Sequence, residues 1–215
     1  NLYRTAWKDR VASSSDIVDD VVTFTSNFGT EQLHQGVEVD FKFRPVSGLS
    51  INGFASIGDW VYKGDAVTQV TDEDRNVISF EAEDYDGGKV GGAAQTSGGL
   101  GVAYRINKNF SVDSDWRYYA DLYSDVGAVK ENLKLPSFSL LDAGVTFSVP
   151  LGANKTKQLK IRANMNNVLD TEYLSILTTA NFAEPGDETY DGIAVSNRGY
   201  FGLGRTWNVT LRYDF

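Results

Sequence analysis

Hydrophobic and polar residues alternate along most of this chain with a period of two. The clearest case is the last segment, where Trp207, Val209, Leu211, Tyr213 and Phe215 are apolar and Asn208, Thr210, Arg212 and Asp214 lie between them. Successive side chains of a strand point to opposite faces, so this segment has one apolar and one polar face. Upstream, Leu159, Ile161, Ala163 and Met165 stand against Lys160, Arg162, Asn164 and Asn166. Leu141, Ala143, Val145, Phe147 and Val149 oppose Asp142, Gly144, Thr146 and Ser148. Phe110, Val112, Trp116, Tyr118 and Leu122 oppose Asp113, Asp115, Arg117, Tyr119 and Asp121. Leu100, Val102, Tyr104 and Ile106 oppose Gly101, Ala103 and Arg105, and Val37, Val39, Phe41 and Phe43 oppose Glu38, Asp40, Lys42 and Arg44. Two segments are weaker: Leu49 to Tyr62, with Leu49, Ile51, Ala55 and Ile57 on one side, and the first, with Tyr3, Thr5 and Trp7 against Arg4 and Lys8. The pattern predicts eight strands and no helix.

Strands of soluble sandwiches alternate too, but three features favour a transmembrane antiparallel β-barrel. The alternating runs span roughly 9–13 residues, against ~5–6 for soluble strands and ~9–11 for membrane strands. The polar faces are densely charged, as a water-filled lumen requires. Aromatics gather near strand ends (Tyr3, Trp7, Tyr104, Phe110, Trp116, Tyr118, Trp207, Tyr213 and Phe215) as interfacial girdles do.

The connections sort by length. Arg44–Leu49, Arg105–Asn109 and Val149–Lys155 are short, and the four alternating with them, about 12–32, 63–95, 123–137 and 168–203, are long. Short periplasmic turns and long extracellular loops alternate in outer-membrane barrels, which puts the carboxyl end on the periplasmic side. Val21–Phe28 and Val77–Phe80 are β-prone segments inside long loops and are expected to extend hairpins above the membrane. By parity, Trp60, Tyr62, Arg117, Tyr119 and Asp121 face the lumen near the extracellular rim, either offering aromatic stacking and charge to a bound solute or filling the lumen and packing the loops.

Composition narrows the function. The 215 residues carry 20 Lys and Arg against 29 Asp and Glu, a formal charge of −9 that argues against nucleic acid. With no Cys, disulfides and thiolate zinc sites are excluded. Much of the negative charge sits between Gly64 and Gly92, where eight acidic residues face only Arg75 and Lys89. No nucleophile–base constellation is present, and His34 is the only histidine. Asp113 and Asp115 read as lumen ion-pair partners for nearby arginines. Asp187 to Gly192 begins like an EF-hand loop, but Arg198 stands where the bidentate Glu belongs. Gly199, Gly202 and Gly204 miss the dinucleotide spacing and precede a strand. Neither a catalytic residue nor a resident metal or cofactor is implied.

Asn164-Met-Asn166-Asn167-Val-Leu-Asp170-Thr-Glu-Tyr173, a long loop, and then Gly202-Leu-Gly204-Arg-Thr-Trp207 through Tyr213-Asp-Phe215 resemble the carboxyl-terminal signature of TonB-dependent outer-membrane receptors. Leu135-Pro-Ser-Phe138, Gly36-Val-Glu38-Val and Tyr3-Arg-Thr-Ala-Trp7 resemble preceding strands of the same barrels. The resemblance implies that residues 1–215 are the last eight or so strands of a barrel of about 22, lacking the plug domain and TonB box. An alternating strand from Asn1, with no signal segment, agrees with a piece of a longer chain. The implied function is TonB-dependent import of a scarce nutrient (siderophore, cobalamin, oligosaccharide or peptide) across a Gram-negative outer membrane. The implied partners are outer-membrane lipid, TonB with its inner-membrane energising complex through the plug, and a surface lipoprotein. Asn166, Asn167, Asp170, Tyr173, Gly204, Trp207 and Phe215 are expected to build the barrel, because Asn and Asp at a strand exit terminate pairing through side-chain-to-backbone bonds. Two rival readings are a stand-alone eight-stranded barrel acting as adhesin, anchor or small pore, and a soluble carbohydrate-binding sandwich. The eight-stranded barrel requires Tyr3–Trp7 to pair with Trp207–Tyr213.

Overall fold

A computed structural model of the chain describes residues 1–18, 21–151 and 157–214. β1 (Leu2–Val18), β2 (Val21–Phe43) and β3 (Leu49–Lys63) come first. A hairpin of β4 (Asp65–Thr71) and β5 (Val77–Asp84) follows, then β6 (Thr96–Arg105) and β7 (Phe110–Ala120). The short β8 (Leu122–Tyr123) and β9 (Lys134–Leu135) pair with each other before β10 (Phe138–Leu151) and β11 (Lys157–Asn166). β12 (Leu174–Leu177), the hairpin of β13 (Thr189–Tyr190) and β14 (Ile193–Ala194), and β15 (Gly199–Phe201) lie between β11 and β16 (Thr206–Asp214).

Eight of these strands form one antiparallel meander, β1-β2-β3-β6-β7-β10-β11-β16, and they are the eight that the alternation predicts. Short turns lie at one end of this wall and long connections at the other. The turn Asn107–Phe110 closes through the Asn107 side chain, whose Oδ1 accepts from the backbone N–H of Asn109 (2.8 Å) and Phe110 (3.0 Å). The short connection after β10 lies largely outside the described residues.

Register staggers steadily across the wall. Following the hydrogen-bonding direction, Phe43 is opposite Ile51, then Val102, Ser114, Ala143, Met165 and finally Trp207. One row therefore runs from the turn end of β2 to the loop end of β16. Such shear accompanies the strand tilt of a barrel wall.

The two faces differ as predicted. Val39, Phe41, Phe43, Phe147, Val209 and Leu211 share the outward face and are all exposed. The opposite face carries cross-strand polar pairs. Arg162 grips Asp113 through two bonds of 2.8 Å, Arg117 pairs with Asp142, and Asn164 donates to Asn208 at 2.9 Å. Arg117 and Asp142 lie on the neighbouring strands β7 and β10, whereas Arg162 of β11 reaches Asp113 of β7 across β10, over Gly144, which has no side chain to obstruct the pair.

In the first strand the structure reverses an expectation. Tyr3 pairs with Gly36 and Trp7 with Gln32, so both lie on the polar face and not in an outward girdle. Tyr3 lies against Gly36 and Gly58, where a Cβ would come within 2.6 and 2.9 Å of the Tyr3 hydroxyl. Leu122 also leaves the outward face. Asp121, at φ 52°, ends β7, and Leu122 turns into the loops with 7% of its surface exposed.

Long connections hold more β structure than the alternation shows. β1 and β2 run 17 and 23 residues because Val11–Val18 pairs back onto Val21–Phe28, the hairpin extension expected there. Val77–Phe80 likewise falls in β5. Its partner β4, not foreseen, pairs with β2 at Phe24–Phe28 and so continues the place of β3. At this level Asp9 (φ 52°), Gly29 (φ 74°) and Gly64 (φ 67°) adopt left-handed backbone, and the β1–β2 register shifts between Trp7 and Arg10. Bulges of this kind re-aim strands at barrel rims.

Among the described residues β1 pairs only with β2 and β16 only with β11, so the sheet is open. The pairing of Tyr3–Trp7 with Trp207–Tyr213 that a closed eight-stranded barrel needs is absent. Nor does the wall have a core. The buried apolar side chains gather at the loop end, in one cluster of Leu122, Leu133, Leu135, Leu174, Leu177 and Ile193 and another of Tyr62, Ala66, Tyr85, Val90 and Ala128.

Candidate functional site

The loop end is a folded cap, built because its segments bury their apolar residues against one another, whereas the wall turns its own outward. Buried polar side chains tie these segments together. Gln95 is 2% exposed. Its Oε1 accepts from Trp60 N–H (2.9 Å), and its Nε2 donates to the carbonyls of Trp60 (3.1 Å) and Val90 (3.0 Å). Its backbone N–H donates to the Asp121 carbonyl at 3.1 Å. The buried Ser124 hydroxyl lies within 2.6 Å of the Thr179 carbonyl and 3.1 Å of that of Leu177. Asn132 Nδ2 donates to the carbonyls of Lys89 (2.9 Å) and Ser124 (2.8 Å). The bonds of Ser124 to Leu177 and Thr179, of Asn132 to Lys89 and of Gln95 to Trp60 and Asp121 join segments far apart in the chain, which ties the cap into one unit.

The five side chains expected near the rim lie at this end but do not converge. Trp60 donates from Nε1 to the Tyr3 hydroxyl (2.8 Å) and stacks on His34 with ring centres 5.0 Å apart. Tyr62 is 4% exposed in the second apolar cluster. Arg117 is committed to Asp142 on the polar face of the wall. Tyr119 packs on Phe138 at 5.1 Å beside the first cluster. Asp121 accepts from Lys134 and from the Thr96 hydroxyl, both at 2.6 Å. These two bonds, Lys134 first, hold the Asp121 carboxyl below the usual carboxylate range, and Asp121 in turn raises the Lys134 amine. Each of the five is therefore engaged in building the cap or the wall.

The signature residues form a clasp between β11 and β16. Asn167, at φ 49° and 4% exposed, accepts from Thr171 N–H at Oδ1 (2.9 Å). Its Nδ2 donates to the carbonyls of Thr171 (2.9 Å) and Leu203 (3.3 Å), and its N–H donates to Asp142 (2.9 Å). Asn166 donates to Thr206 at 3.1 Å. Asp170 accepts from the Arg205 N–H (2.8 Å) and guanidinium (3.0 Å), which lower its pKa in that order. A Cβ on Gly204 would come within 3.4 Å of the same carboxylate. Tyr173 stacks on Phe138 at 4.1 Å and covers Gly202, where a Cβ would strike its ring. Trp207 is 74% exposed in the outward row. Phe215 lies outside the described residues.

The cap also holds a cleft of about 690 Å³ between the β1–β2 hairpin, the β4–β5 hairpin and the connections that follow β8 and β12. Its floor is a hydrogen-bond cascade. Asn27 Nδ2 donates to the Thr68 (3.0 Å) and Tyr85 (2.9 Å) hydroxyls, and both hydroxyls donate to Glu83 Oε2. Burial, and then the bond to Glu83, pushes the Tyr85 phenol above its ordinary value. Lys130 closes one side, its amine 2.6 Å from Asp84 and 2.7 Å from the Asp86 carbonyl. Sequence reasoning missed this cleft, because Asn27, Thr68 and Tyr85 come from three segments whose register no local pattern encodes.

Two motifs resolve into turns and strands. Asp191 (φ 51°) and Gly192 (φ 82°) are the centre of the β13–β14 hairpin, where an Asp-Gly pair supplies the two positive φ angles of a type I′ turn. Gly199 opens β15. Among the described residues no group of three or more His, Asp or Glu side chains is placed to hold a metal ion.

A sheared antiparallel wall with an apolar outward face, paired charges on the other and a folded cap at one end defines an outer-membrane barrel segment. The chain matches the family described as "TonB dependent receptor-like, beta-barrel" over residues 1–168 and belongs to that family. No curated protein matches it. Membership places the chain in TonB-dependent outer-membrane transport, in a family of transporters and not of enzymes, for which TonB and outer-membrane lipid are the implied partners.

Proposed function

We propose that residues 1–215 are the carboxyl-terminal part of the barrel of an importer that draws one scarce nutrient through the outer membrane of a Gram-negative cell. The plug and the segment that meets TonB would come from sequence outside these residues. The observation that carries this reading is the open, sheared wall. Its outward face suits lipid and its charged face suits a wet interior, while the edges of β1 and β16 offer backbone groups to further strands. In this arrangement the cap is extracellular and meets cargo first.

The test is genetic. Growth of a strain lacking the full-length gene is compared with its parent across single carbon, iron and cobalamin sources at limiting concentration. The expected result is a defect confined to one class of source, restored by the gene and not additive with deletion of tonB. A defect that persists in full on top of the tonB deletion would overturn the reading.

A further inference from the structure

The cap encloses a cleft with both polar and small apolar walls, and we infer that it binds a short, neutral oligosaccharide. This rests on the import reading above and names the cargo class for it.

The first argument is the lining. Thr25 and Asn181 border the cleft with a hydroxyl and an amide side chain, above a floor of Asn27, Thr68, Tyr85 and Thr179 that is buried and bonded within the protein. Hydroxyl and amide groups both donate and accept, and so does every hydroxyl of a sugar. A lining of this kind matches a polyol closely and an ion poorly. The opposite wall adds small apolar surface from Val126, Ala128, Val129 and Ala180. A pyranose ring, with a C–H face and a polar rim, meets both kinds of surface at once.

The second argument is charge. Glu83 and Asp84 are the carboxylates at the cleft and Lys130 is its cation. All three are already engaged, Asp84 with Lys130 and Glu83 with the Thr68 and Tyr85 hydroxyls. An anionic chelate would approach two carboxylates with no uncommitted cation in the lining. A cationic peptide would have to displace Lys130 or break the cascade. A neutral ligand needs neither.

The third argument is order and size. Asn27 and Tyr85 are 3% and 5% exposed, so the cascade sets the floor and shape of the cleft before any ligand arrives, which spares ordering cost on binding. A volume near 690 Å³ falls within the ~300–1,000 Å³ of small-molecule sites and leaves room for more than one sugar ring. The cleft draws on four segments, so an occupant would bridge all of them and hold the cap together.

The experiment uses the full-length receptor in detergent, with binding followed by calorimetry. The probes are hexamers of α-1,4-glucan, β-1,4-glucan, β-1,4-xylan and α-1,6-mannan, with trilysine as the cationic comparison. One hexamer is expected to bind, and Thr25→Val with Asn181→Ala to weaken it about tenfold at unchanged heat-shifted mobility. Glu83→Gln leaves the cleft's shape but disturbs the cascade, and is expected to weaken the same hexamer. It serves as the deciding variant should the double one misfold. Three results would overturn the inference: no hexamer binds, binding is indifferent to these variants, or trilysine alone binds and is lost in Asp84→Asn. Uptake of the bound hexamer is then compared with and without tonB. Binding at the cleft without TonB-dependent uptake would remove the import reading and keep the site. TonB-dependent uptake of a different cargo would do the reverse.

Discussion

At the scale of single residues, parity and closure make separate predictions. Val209 lies on the outward face, in one row with Val145 and Ala163, while Thr210 lies on the charged face opposite Arg162. Arginine at Val209 should therefore cost about 2–4 kcal/mol near the bilayer midplane, and arginine at Thr210 should be mild. The measurement is the folded fraction of the full-length receptor in lipid, read by heat-shifted gel mobility. Equal effects at the two positions would refute the facial assignment. Asn167 tests closure. Its side chain meets Thr171 and Leu203 from a left-handed backbone that Asn tolerates better than most residues. Asn167→Ala should destabilise by on the order of 2–3 kcal/mol, because buried backbone groups lose their partner and the backbone strain rises. Asn167→Gly removes the strain alone, so it should recover part of the loss and not all of it, as read from urea midpoints.

Elements show how far the sequence could be read. Six wall strands were plainly legible because lipid on one side and water on the other force strict alternation over their length, and β1 and β3 were legible as strands from a weaker pattern. Tyr3 and Trp7 were misplaced because β1 alternates between aromatic or hydroxyl and basic residues, a pattern that names no apolar face. β4 was illegible because above the bulge neither face meets lipid, so polar Thr68 and Gln69 stand beside Val67 and Val70. The cleft lay beyond reach for a related reason, since its floor is set by pairings between β2, β4 and β5. A protease site placed in the Asp72–Asp86 hairpin should be cut on intact cells, and one between Ser47 and Gly48 should not. The reverse result would invert the topology. The Lys130 latch gives a dependence on pH. Lys130 first, and then the Asp86 backbone N–H, lowers the Asp84 carboxyl below the ordinary 3.8, and the Gly64 N–H and Lys63 lower Asp86. With folded pKa values depressed, the latch is fully present above the ordinary value and is lost as pH falls through the lowered ones. Hydrogen exchange at residues 126–131, corrected for intrinsic rate, should stay flat from pH 7 to 5 and rise below about pH 4. A rise already complete at pH 5 would assign the opening to another group.

For the molecule as a whole, the decisive feature is that the wall stabilises itself sideways. Inside a membrane every backbone N–H and C=O needs a partner in the protein, yet one edge of β1 and one edge of β16 have none among the described residues. Those edges are also the segments where long unpaired strands invite aggregation. Closing eight strands on themselves would bring Glu38, Lys42, Asp113, Arg117, Arg162 and Arg212 into one narrow lumen. The pairs now made along the charged face, Arg162 with Asp113 across β10 and Arg117 with Asp142 on adjacent strands, would then have to be satisfied without water. Buried ion pairs rarely repay their desolvation under such conditions. Residues 1–215 expressed alone should therefore give no monomeric folded barrel, whereas the full-length protein should refold under the same conditions. Far-UV circular dichroism, heat-shifted mobility and light scattering in detergent micelles decide the matter. A cooperative, monodisperse product from the 215 residues would show that the two edges can find each other, and the small closed barrel would replace the segment of a larger one.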